Sequence, residues 1–169
     1  MFTKILVPVD GSPPSNAAVD LALRIAAENK AAVMFVHVVE LSRIAALSGP
    51  SAIDPALAID AACAAGKSVL DQATEKAQAA GVTCKSELLE DECVPSVVQA
   101  AHQAKADLIV AGSHGRTGIP RAFLGSVAEG ILRRADIPVL ICHAPAVEPH
   151  HKQHDAIKIE ARTAEHTLL

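Results

Sequence analysis

Three glycine positions carry the clearest chemical signal in this chain: Gly112 and Gly115 within Gly112-Ser113-His114-Gly115, and Gly125 immediately before Ser126. The stretch leaves an apolar run, Ala106 to Ala111, and opens into a helical pattern from Ser126 to Arg134. A glycine-rich turn between a strand and a helix presents backbone N–H groups to an anion. No side chain stands in the way, and the helix dipole adds partial positive charge. Phosphate is the anion that such a turn suits. Arg116 and Arg121 fall in the same stretch and offer cations, although exposed loop arginines are commonplace.

The second candidate is Asp10, which follows the apolar run Ile5-Leu6-Val7-Pro8-Val9 and precedes Gly11-Ser12. In an open parallel sheet, ligands sit beyond the carboxyl ends of the strands, where the topology switches direction. The loops after the first and fourth strands meet there, which places Asp10 opposite the glycines. Its carboxylate suits a ribose hydroxyl or a phosphate-bound magnesium ion, and it equally suits capping the first helix. The glycine loop opposite favours the functional role. Ser126 also has two readings, as a phosphate ligand and as the start of a capping box, Ser126-Val127-Ala128-Glu129. Nothing in the pattern supplies a catalyst. The loop lacks the Gly-Lys-Ser/Thr ending of a P-loop, and no kinase-like loop or Ser/His/Asp arrangement is evident. Any hydrolysis is expected to be slow.

The elements that must position these residues are legible as five apolar runs alternating with helical patterns. Strands are expected at Ile5 to Val9, Ala32 to Val39, Val82 to Leu89, Leu108 to Ala111 and Pro138 to Cys142. Most are continuous rather than alternating, as in strands covered on both faces; the third is more polar and suits an edge. Helices are expected from Ser12-Pro13, from Asp54-Pro55 to about Gly81, from Pro95 to Lys105, and from Ser126 to Arg134. This alternation predicts an α/β fold, a doubly wound five-stranded parallel sheet of order 3-2-1-4-5 with helices on both faces. Leu41 to Ile53 reads as a mobile loop, and from about Ala144 the pattern gives way to a polar tail.

Composition fits one such domain. The chain has 169 residues, half of them apolar and only 2% aromatic, so the core rests on Ala, Val, Ile and Leu. A net charge of −4 argues against nucleic-acid partners. Met1 to Lys4 run straight into the first strand without the pattern of a leader, and no apolar stretch is long enough to cross a bilayer. Cys63, Cys84, Cys93 and Cys142 are scattered without a C-x-x-C pair, which points to free thiols in a reducing cytoplasm. The tail concentrates His143, His150, His151, His154 and His166, residues able to bind zinc, copper or nickel. Merely polar tails are far commoner.

Four segments together resemble the universal stress proteins: Ile5 to Ser12, His37-Val38, Ala106 to Gly115, and Pro138 to Ile141. The resemblance covers Met1 to His143 as a nucleotide-binding domain and leaves residues 144–169 as the tail. Gly112, Gly115 and Gly125-Ser126 also keep the spacing of the ATP-binding members: Gly, two residues, Gly, nine residues, Gly-Ser or Gly-Thr. The resemblance implies that Asp10, with Pro8 and Val9 beside it, approaches the ribose or a magnesium-linked phosphate. The Val38 backbone would meet the adenine edge, and Gly112, Ser113, His114 and Gly115 would surround the ribose and first phosphates. Gly125, Ser126 and Val127 would hold the outer phosphates. It further implies ATP, or AMP or ADP, as ligand, with magnesium accompanying it. A homodimer through the fifth strand (Val139, Leu140, Ile141) is also implied. The expected role is a nucleotide-dependent stress-response module. A slow magnesium-dependent ATPase and an AMP or cyclic-nucleotide binder are the alternatives.

Overall fold

A computed structural model describes residues 1–47, 54–115 and 124–144. Arg116, Arg121, residues 48–53 and the tail histidines His150, His151, His154 and His166 lie outside the described residues.

The elements run β1 (Lys4–Pro8), α1 (Pro13–Asn29), β2 (Ala32–Val38), α2 (Leu41–Leu47), α3 (Pro55–Ala79), β3 (Cys84–Leu89), α4 (Cys93–Ala104), β4 (Leu108–Gly112), α5 (Ser126–Arg134) and β5 (Val139–Cys142). All neighbouring strands pair in parallel, in the order β3-β2-β1-β4-β5. This is the expected doubly wound sheet, with the polar third strand at one edge.

Strand alternation divides the core between the two faces. Ile5, Val7, Val33, Phe35, Leu108 and Val110 point to one side, where they meet Ala18, Ala22 and Ala26 of α1 and Leu70, Ala73 and Ala77 of α3. Leu6, Val36, Ile109 and Ala111 point to the other, against Val97, Ala100 and Ala101 of α4 and Ile131 of α5. Rows of alanine let these helices lie close to the sheet, so a core with few aromatic residues still fills. Burying each large side chain such as Phe35 or Ile109 contributes about 1.5–3 kcal/mol.

The ladders are uneven in a way that matters for the site. β1 pairs with β2 over five residue pairs, β2 with β3 over six and β4 with β5 over four. Between β1 and β4 only Ile5↔Leu108 and Leu6↔Ile109 are paired. The two central strands therefore part toward their carboxyl ends, and a crevice opens between them. Their amino ends are clasped. The Asp107 carboxylate accepts the Thr3 N–H at 2.8 Å, the Thr3 hydroxyl at 2.6 Å and the Lys4 N–H at 3.0 Å. Burial pushes the Asp107 carboxyl up, but these bonds outweigh it and hold the group below its ordinary value.

Two local expectations need correction. Leu41–Leu47 is a helix rather than part of a mobile loop, because the Glu40 carbonyl accepts the N–H groups of Arg43 and Ile44 and starts a turn. Ser126 is not the cap of α5. Gly125 holds the extended N-cap conformation (φ −66°, ψ 151°), and its carbonyl accepts the Glu129 N–H, so Ser126 is already the first helical residue.

Candidate functional site

The loop after β1 is shaped by three short polar side chains. Gly11 takes a left-handed φ of 79°, turning the chain so that the Ser12 N–H reaches Asp10 Oδ1 at 2.9 Å. Ser12 then caps α1 by accepting the Ser15 N–H at 3.3 Å, and the Ser15 hydroxyl accepts the Asp10 N–H at 3.1 Å. Pro13 and Pro14 occupy the first turn, where a missing N–H costs nothing. Asp10 thus shapes the turn without being the cap itself. Across the crevice, the Ser12 hydroxyl donates to the His114 carbonyl at 3.3 Å and joins this loop to the glycine loop.

The glycines do more than clear space for a ligand. A Cβ on Gly112 would lie 2.7 Å from the Ser15 nitrogen and 2.8 Å from the Pro14 carbonyl carbon, so Gly112 is where α1 seats against β4. A Cβ on Gly115 would lie 2.9 Å from Asp10 Oδ2, and one on Gly125 would lie 3.1 Å from the Ser113 carbonyl oxygen. The first two draw the two loops together. Gly125 lets the start of α5 approach the end of β4, and its N–H donates to Ser113 O at 2.8 Å.

The helix N-termini around the crevice differ. α1 and α3 are capped by Ser12 and Asp54, and the first N–H of α4, on Cys93, reaches Glu40 Oε1 at 3.3 Å. α5 has no side-chain cap, and the N–H groups of Ser126, Val127 and Ala128 find no acceptor among the described residues. An uncapped helix start carries partial positive charge and open donors, the arrangement that suits an anion.

A cleft of about 460 Å³ joins these features. Pro8, Val9, Asp10, Val38, Gly112, His114, Gly115, Gly125, Ser126 and Val127, all expected from the sequence, line it. Ser113 does not. It is buried, its N–H continues the ladder onto the Cys142 carbonyl, and its hydroxyl meets His114 Nδ1 at 3.0 Å. Its part is to hold the loop in shape. The sequence reading missed a second wall made by Glu40, Arg43 and Ile44 at the start of α2, Ala62 and Ala65 of α3, and Cys93 of α4. Glu40 organises it, pairing with Arg43 at 3.7 Å while accepting the Cys93 N–H. No local pattern announces a contact between residues 40 and 93.

Arg43 is the only Lys or Arg among the described lining residues, against the carboxylates of Asp10 and Glu40. Burial, then the nearby Glu40 and Asp10 carboxylates, push the Cys93 thiol up to about 11, so it is a neutral wall atom and no nucleophile. Among the described residues no three His, Cys, Asp or Glu side chains converge on a metal position. One carboxylate is nevertheless enough for magnesium that arrives with phosphate oxygens and water. Asp10 fits that limited part.

The chain matches the model of the universal stress protein family over residues 1–143. A universal stress protein of Methanocaldococcus jannaschii is 35% identical over 148 residues, spanning 88% of this chain and 86% of the relative. A solved member of the family from Burkholderia pseudomallei is 33% identical, with a TM-score of 0.66 over 82% of this chain and 94% of that one. A universal stress protein solved in complex with cAMP is 28% identical, with a TM-score of 0.61 over 85% of this chain and 98% of that one. The chain belongs to the universal stress protein family.

Proposed function

We propose that the cleft binds an adenine nucleotide, ATP in the first place, and that the protein works as a nucleotide-dependent binding or signalling module. The observation that carries this reading is the uncapped start of α5 beside the glycine loop. Three N–H groups there have no acceptor among the described residues, and phosphate oxygens would supply one. Val38 then meets the base, Gly112, His114 and Gly115 flank the sugar and inner phosphates, and Gly125 to Val127 take the outer ones. Asp10 would hold magnesium that travels with the phosphates, and the metal would neutralise part of their charge. Among its described residues the cleft has no positioned base and no lysine at its phosphate end, which suits holding a nucleotide better than cleaving it. The relative bound to cAMP supports a site that accepts adenine ligands, and a cyclic or monophosphate ligand is the second reading.

The same reading extends to assembly and location. β5 is an edge strand with Leu140 exposed, and pairing of Val139, Leu140 and Ile141 with a second copy would cover it. All four cysteines are free thiols, which suits the cytoplasm.

The test is to denature freshly purified protein, identify the released nucleotide by mass, and titrate ATP with and without magnesium. ATP is expected, and Asp10→Asn should lose the magnesium-dependent part of the affinity, about tenfold or more, while keeping the Ser12 turn and the melting temperature. An empty protein that binds no adenine nucleotide at millimolar concentration overturns the reading.

A further inference from the structure

The β1–β2 ladder stops one rung early, and a side chain stops it. The Ala32 N–H donates to the Thr3 carbonyl at 3.0 Å and the Val9 N–H to the Val36 carbonyl at 2.8 Å, so even-numbered residues of β2 turn their backbone groups toward β1. Odd-numbered residues turn to β3, as Val33 on Thr83 and Val39 on Leu89 show. Parallel pairing makes the next rung the Val38 N–H on the Val9 carbonyl. That rung is absent. The Val9 carbonyl instead receives His37 Nδ1 at 2.6 Å. A carbonyl only accepts, so Nδ1 carries the proton and the tautomer is fixed.

The ring reaches Val9 because α3 makes room for it. Gly66 is buried in the middle of that helix, where glycine is a poorer helix former than alanine. A Cβ there would overlap the His37 ring and lie 2.8 Å from Leu88 Cδ1. His37 is itself buried and lines the cleft beside Val38.

We infer that His37, seated against Gly66, is a positioning residue that ends the ladder at Val9 and leaves the Val38 N–H and carbonyl to the edge of a bound base. One backbone donor and one backbone acceptor on the same residue match adenine, which offers a ring nitrogen acceptor beside an amino donor. The inference rests on the nucleotide reading for the identity of the ligand, but the state of the Val38 backbone is a property of the empty protein.

Amide hydrogen exchange of the full chain, read by NMR, tests that property directly. The Val38 N–H should exchange fast in the ligand-free protein and slow on adding adenosine or AMP. In His37→Leu the Val9 carbonyl is released, the missing rung forms, and the Val38 N–H becomes slow without ligand. Adenosine affinity then falls about tenfold, the loss of one to two hydrogen bonds, while inorganic tripolyphosphate binds as before. His37→Asn keeps a donor at the same distance from the backbone as Nδ1 and should stay within about threefold of the wild type. Gly66→Ala displaces the ring and should repeat His37→Leu even where that variant fails to fold. A Val38 N–H that is already slow in the empty wild type overturns the inference. Fast exchange in a protein that binds neither adenosine nor AMP overturns the base-edge role and the nucleotide reading together, while the early stop of the ladder stands.

Discussion

The two ends of the sheet use the same kind of residue in opposite ways. At the amino end, Asp107 accepts three hydrogen bonds from Thr3 and Lys4 and closes the gap between β1 and β4. At the carboxyl end, Asp10 holds one turn by accepting the Ser12 N–H and lies beside Gly115, where the same two strands have parted. The backbone follows suit. Asp107 donates its own N–H to Lys4, whereas Val38 and the first turn of α5 keep backbone groups over the cleft that find no partner among the described residues. One end closes on its own polar groups; the other opens into the cleft.

Three substitutions break or sharpen this contrast, beginning with the largest effect. Gly112→Ala should destabilise the protein by about 1–3 kcal/mol in chemical denaturation, because the new methyl pushes the start of α1 off β4. It should weaken nucleotide binding too, since Asp10 moves with α1. A variant as stable as the wild type would mean that Gly112 serves only the ligand. At the amino end, Asp107→Ala should lose about 1 kcal/mol at neutral pH and leave nucleotide affinity alone. The sign of its pH dependence follows from the lowered carboxyl value. The stabilisation is complete above the unfolded value of about 3.9 and disappears as pH falls through the folded value, so the two proteins should converge in acid. Convergence at higher pH would contradict the clasp. The smallest change belongs to Ser126→Ala, which should alter stability by less than about 0.5 kcal/mol because Gly125, not Ser126, is the cap. Its effect should fall on phosphate affinity instead, and a cost near 1 kcal/mol would restore the capping box.

The strand order and the side of the sheet that carries the site were legible because continuous apolar runs, proline-led helices and a glycine-rich turn are local signals. What stayed hidden was tertiary. Gly112 reads as a phosphate contact, yet its missing side chain is explained by Pro14 and Ser15, nearly a hundred residues away. Ser113 reads as part of the ligand shell, but the ladder to Cys142 turns it inward. Gly125 and Ser126 are both acceptable caps by type, and only the backbone angles separate them. Glu40 carries no local signal at all; its bond to the Cys93 N–H makes it part of the second wall.

The short seam between β1 and β4 has a mechanical consequence. Among the described residues, two residue pairs and the Ser12–His114 bond join β1 and its loop to β4 and its loop near the cleft, besides the helices packed across them. A nucleotide bound to Val38 on one half and to α5 on the other would act as a rivet across that seam. Its binding would stiffen the whole domain rather than one loop, and the melting temperature would rise with ligand concentration as linkage requires. If the cleft takes a nucleotide as proposed, a domain built in this way would signal its bound state through rigidity alone, with no change of shape.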